Sequence, residues 1–90
     1  MSTEYVTIVV VKYADGDVAY SIGKRLDRDK LLIAKTVADD IKMFIIENGR
    51  APNAVAGDAG AYHYEAMLRT TKRINDNDVY VYVLRIEKRV

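Results

Sequence analysis

A chain of 90 residues has room for one small domain built on one hydrophobic core. Its 14 Lys and Arg stand against 13 Asp and Glu, a formal net charge of +1, so no strong field holds nucleic acid or a membrane surface non-specifically. Half of the residues are apolar or Tyr, which excludes a disordered tail, and the lack of Cys excludes disulfides, thiolate zinc sites and cysteine nucleophiles.

The opening Met1-Ser2-Thr3-Glu4 has neither the basic region nor the apolar stretch of a signal peptide. No apolar run approaches the roughly 18 residues of a membrane span. The expected compartment is the cytoplasm, with no membrane partner. Gln and Trp are absent while Val, Ile, Tyr, Lys and Arg are plentiful, a composition that leans towards a thermophilic source.

Tyr5 to Tyr13 is β-branched and aromatic almost throughout and predicts a strand, apolar on both faces and therefore central. Asp15-Gly16 supplies a tight turn, and Val18, Tyr20 and Ile22 alternate in a second, half-buried strand. Asp27 and Asp29 offer capping carboxylates to a helix from Arg28 to Asn48, closed by Gly49 and stopped by Pro52. Leu31, Ile33, Ala34, Val37, Ala38, Ile41, Phe44 and Ile45 form its core stripe. Leu32, Met43 and Ile46 fall on the opposite side and call for cover, by another helix or a partner.

Asn53 to Gly60 is small and flexible and reads as a loop. A second helix is predicted from Ala61 to Arg73, with His63, Tyr64, Met67, Leu68, Thr71 and Ile74 on one side and Tyr62, Glu65, Arg69, Lys72 and Arg73 on the other. Asn75 to Asp78 is a turn cluster. Val79 to Lys88 closes the chain as a long strand, again apolar on both faces and placed beside the first. The expected fold is a two-layer α+β domain, ββααβ, whose three-stranded sheet is extended or covered by dimerisation.

Chemistry-bearing residues are sparse. His63 is the lone imidazole, and Glu65, two positions on in a helix, is poorly placed to orient it. Gly57-Asp58-Ala59-Gly60 before a helix has the outline of a phosphate cradle, but lacks the Gly-Lys-Ser/Thr ending, and Asp58 repels phosphate. The acidic turns at Asp15 to Asp17 and Asn75 to Asp78 do not continue into a calcium loop. Asp39 and Asp40 diverge by about 100° on a helix and make no dyad. No metal, cofactor or catalytic residue is assigned.

Residues 69–90 hold six of the basic residues, Arg69, Lys72, Arg73, Arg85, Lys88 and Arg89, against three acidic ones. With Tyr62 on the same predicted helix face as Arg69, Lys72 and Arg73, they suit phosphate contact and base stacking. The stronger reading rests on surplus apolar surface and near-neutral charge. It is a small non-enzymatic interaction protein, a homodimer joined or partnered through Leu32, Met43 and Ile46, that binds another macromolecule to regulate or inhibit it. Accessory proteins of viruses and plasmids are often of this kind. The alternatives are a nucleic-acid-binding regulator using the basic helix face, and a small phosphodiester-cleaving enzyme built on His63.

Overall fold

The computed structural model describes residues 3–89; Met1, Ser2 and Val90 lie outside it, and with them the first two positions of the N-terminal reading. The elements are β1 (Thr3–Lys12), β2 (Val18–Ile22), α1 (Arg28–Asn48), β3 (Ala54–Ala59), β4 (Tyr62–Ile74) and β5 (Asn77–Lys88). All five strands join one antiparallel sheet in the order β2-β1-β5-β4-β3, which curls around the helix as a half-barrel. The fold is therefore mostly β, ββαβββ, and not the predicted α+β domain of two helices on three strands.

The first half of the chain folds as its local chemistry dictates. Tyr13 to Asp17 make a short hairpin loop in which Gly16 N–H donates to the Tyr13 carbonyl at 2.9 Å, with Gly16 at φ +95°. Asp27 caps α1 by accepting the Lys30 N–H at 3.0 Å, and Gly49 closes it at φ +72°, donating to the Ile45 carbonyl at 2.8 Å. Ile33, Ala34, Val37, Ala38, Ile41 and Ile45 are buried, while Leu31 and Phe44 at the stripe margins are half-buried.

The second half departs from the prediction. Residues 54–59, read as a loop, are edge strand β3, and residues 62–74, read as a helix, are β4. Ala66, Met67, Leu68 and Arg69 favour helix by only tenths of a kcal/mol each, and β4 recovers more than that by pairing with β5 from Tyr62↔Lys88 to Ile74↔Asn77. Asn75 and Asp76 both take positive φ (+52° and +67°), the conformation of a two-residue type I′ hairpin turn. A further two-residue turn, with Gly60 at φ +56°, joins β3 to β4.

The core lies between α1 and one face of the sheet. Val6, Ile8 and Val10 of β1, Ala66 of β4, and Tyr80, Tyr82, Leu84 and Ile86 of β5 point inward and are buried. Register puts Ile8 beside Tyr82 and Val6 beside Leu84, so this set meets the helix as one surface. The Tyr82 hydroxyl donates to the carbonyl of buried Pro52 and ties the end of the α1–β3 connection to the central strand. Glu4 clamps β1 to the start of the helix, accepting from Lys24 at 2.8 Å and Lys30 at 3.0 Å.

Candidate functional site

Because the helix occupies only part of the curled sheet, a groove of about 520 Å³ remains between its N-terminal half and the β3–β4 hairpin. Asp29, Leu32, Ile33 and Thr36, one i, i+3, i+4, i+7 face of α1, form one wall. The turn residues Ala59, Gly60 and Ala61 form the other and are too small to fill the space. Tyr62 and Tyr64 line the floor, and Lys88, directly across from Tyr62 on β5, completes the lining. A Cβ built on Gly57 would lie 2.6 Å from the Tyr64 hydroxyl, so the absence of a side chain on the edge strand is what lets Tyr64 lie across it.

Charges around the groove are uneven. Lys30 sits behind it and is held above the usual lysine range, chiefly by its hydrogen bond to Glu4. The Glu4 carboxyl is held below the usual carboxylate range, first by Lys24 and then by Lys30. Among the described residues, no carboxylate pairs with the Lys88 ammonium and no cation pairs with Asp29.

The other face of the sheet has no helix. Val9 and Val11 of β1 and Val79, Val81 and Val83 of β5 lie there, each half-buried by neighbours alone, with Tyr5 (59% exposed) and Met67 (46%) at their margins. Beyond the valines the face becomes charged. The Arg85 guanidinium reaches Glu87 at 3.0 Å and Glu65 at 3.2 Å, and the Glu65 hydrogen bond in particular raises its pKa. Asp58 Oδ1 lies 2.9 Å from His63 Nδ1 and 3.5 Å from Arg89.

The sequence-derived candidates are therefore redistributed. Tyr62 faces the helix side, about 23 Å along the strand from Arg69 at 3.3 Å per residue, so the predicted basic helix face with an interleaved aromatic does not exist. Lys72 lies on the outer face opposite Val79, whereas Arg73, opposite Asp78, lies on the helix side. Arg85 is bound to two carboxylates and Arg89 stands beside one. Met43 (49% exposed) and Ile46 (53%) stay uncovered on the outside of α1, since the second helix that might have shielded them is a strand. Leu32 (57%) forms part of the groove wall.

His63 gains a carboxylate partner that a helical reading could not find, because Asp58 and His63 are cross-strand neighbours in the β3–β4 hairpin. The pair is on the outer face, away from the groove, and the Gly57 to Gly60 segment precedes no helix N-terminus. Tyr64 enters the sequence reading only on a predicted helix face and Gly60 only in the outline of a phosphate cradle, neither as part of a groove. Their signal was the alternation of Tyr62, Tyr64, Ala66 and Leu68 after a two-residue Gly-Ala turn. Compared with protein-family models, curated proteins and solved structures, the chain matches none.

Proposed function

We propose that the protein is a small non-enzymatic interaction module that self-associates through the outer face of its sheet and presents the outside of α1, with Met43 and Ile46, to another macromolecule. The observation that carries this reading is the one-sided sheet: one helix covers the inner face while five valines line the outer one. Strands β1, β4 and β5 with their short edges present on the order of 650 Å² in projection, comparable with the roughly 800 Å² per partner of a standard interface.

Charge supports a second copy as the occupant. A two-fold axis lying across the strands stacks β5 on its own copy in the reverse direction, and in that register Glu65 of one copy lies opposite Lys72 of the other, twice. Arg85 then lies over Val79 of the second copy and Tyr5 over its Val11. The reading does not use His63 or the basic C-terminal residues as chemistry.

Light scattering at tens of micromolar should give twice the chain mass. Val81→Glu, which points away from the core, should give a folded monomer. Lys72→Glu should weaken association, and Glu65→Lys in the same chain should restore it. A monomeric wild-type protein at that concentration refutes the reading.

A further inference from the structure

We infer that the open edge of β4, from Arg69 to Ile74, is a docking site for an extended acidic peptide segment, which adds to the sheet as a sixth strand. The inference is independent of self-association through the outer face, because main-chain groups in the plane of the sheet carry it.

The edge is open for a physical reason. Strand β3 covers β4 from Tyr62 to Met67, and the last link is the Leu68 N–H, which donates to the Asn53 carbonyl at 2.9 Å. The residue before Asn53 cannot extend that ladder. Pro52 has no N–H to give, and its carbonyl accepts the Tyr82 hydroxyl. Beyond Leu68, β4 therefore has β5 on one side and no strand on the other.

Strand alternation fixes which groups are left over. Ile74↔Asn77 closes a two-residue turn, so Ile74, Lys72 and Thr70 direct their N–H and C=O groups at β5. Those of Thr71 and Arg73 point outward and have no main-chain partner among the described residues. The irregularity between Leu68 and Thr70 makes the switch, since Leu68, on its other side, bonds outward to Asn53. Residues 69–74 are all exposed and span about 20 Å, a common strand length. Thr70, Thr71 and Ile74 are β-branched, which suits a paired strand.

Charge selects the partner. Arg69, Lys72 and Arg73 lie on this edge and no carboxylate does. Arg73 meets Asp78 of β5 only at 3.9 Å and its side chain stays 70% exposed. Among the described residues, no carboxylate pairs with Arg69 or Lys72. Two-fold pairing of this edge with a second copy sets cation against cation. In registers centred on residues 71, 72 and 73, Arg73 meets Arg69, Lys72 meets Lys72 and Arg73 meets Arg73, respectively. An acidic segment turns the same charges into attraction. Its residue opposite Arg73 shares the helix side with that guanidinium, so the contact does not draw on Lys72, which faces the outer side.

The test titrates a capped hexapeptide of alternating Thr and Glu into the ¹⁵N-labelled full chain, with Lys in place of Glu as the control. Before peptide is added, the amides of Thr71 and Arg73 should exchange with solvent much faster than those of Thr70 and Lys72. The Glu peptide should shift the amides of residues 69–74 with a Kd on the order of 1 mM, and the Lys peptide should bind at least about tenfold more weakly. At about 10 mM, ten times that Kd, the Glu peptide should slow exchange at Thr71 and Arg73 about tenfold. Thr71→Pro removes an outward N–H and leaves the β5 ladder intact, so it should weaken binding about tenfold in a folded protein. Arg73→Glu should abolish the preference for the Glu peptide. Equal affinity for the two peptides, no saturable shift by about 10 mM, or Glu-peptide binding unchanged in folded Thr71→Pro would each overturn the inference. So would protection of Thr71 and Arg73 that rises with protein concentration alone, since a second copy would then hold the edge.

Discussion

Replacing Tyr82 with Phe removes one oxygen from the middle of the molecule. Tyr82 is wholly buried on central strand β5, and its hydroxyl donates to the carbonyl of Pro52, itself buried in the connection from α1 to β3. The variant keeps the ring and strands the carbonyl, at a cost of about 2 kcal/mol for one buried group left without its partner. In a domain of this size that lowers Tm by about 8–16 °C.

The same hydroxyl gives a second readout with a defined sign. Burial pushes the Tyr82 phenol up to about 12, from 10 in the unfolded chain. The unfolded state therefore ionises first as pH rises, so the stabilisation from this group is complete below pH 10 and is lost between pH 10 and 12. At pH 11, midway, the wild type has lost about 1.4 kcal/mol of it, one pKa unit's worth, which the Phe variant never had to lose. Denaturant unfolding by circular dichroism at pH 8 and pH 11, at fixed protein concentration, measures both effects. The gap between the proteins should be about 2 kcal/mol at pH 8 and shrink to about 0.6 at pH 11. Equal stability at pH 8, or a gap that does not narrow, refutes the reasoning.

Two further outcomes are expected. Because Lys24 and Lys30 depress the Glu4 carboxyl, its contribution is present above the ordinary carboxyl pKa and is lost as pH falls through the lowered folded value. Glu4→Gln should therefore flatten part of the acid limb of the stability–pH curve, and an unchanged limb counts against the clamp. Gly57→Ala should push Tyr64 off the edge strand at a cost of about 1 kcal/mol. With Tyr64→Ala already present, the same change should cost nothing further; additivity in that double-mutant cycle removes the contact.

How much of this was legible depended on whether local chemistry or partner strands decided the conformation. Helix α1 begins and ends where Asp27 and Gly49 cap it, and its buried stripe follows the 3.6-residue period. β4 was ambiguous because His63, Tyr64, Met67 and Leu68 satisfy a helical face as readily as Tyr62, Tyr64, Ala66 and Leu68 satisfy a strand. Pairing with β5 breaks the tie, and no local rule sees it. β3 has Ala and Gly where a strand usually advertises β-branched residues; it is a strand because β4 is its neighbour. The groove shares that fate. Leu32, Tyr62 and Lys88 stand apart in the sequence for different reasons, the first as an interface residue and the others as nucleic-acid contacts, and only the β4–β5 register and the packing of α1 on the sheet bring them together.

The position of β5 has a consequence for how the chain reaches this state. It is the latest of the six elements to emerge during synthesis, yet it is the centre of the sheet, with β1 on one side and β4 on the other. Until it arrives, β1–β2 and β3–β4 are separate hairpins with nothing between them, and the buried tyrosines and leucine that seal the helix are missing. Thr3 must then find Glu87 across nearly the whole length of the chain. Contacts of such separation make folding slow for the size of the domain, and they make it a late, all-or-none event that a ribosome-tethered chain can complete only after β5 has left the exit tunnel.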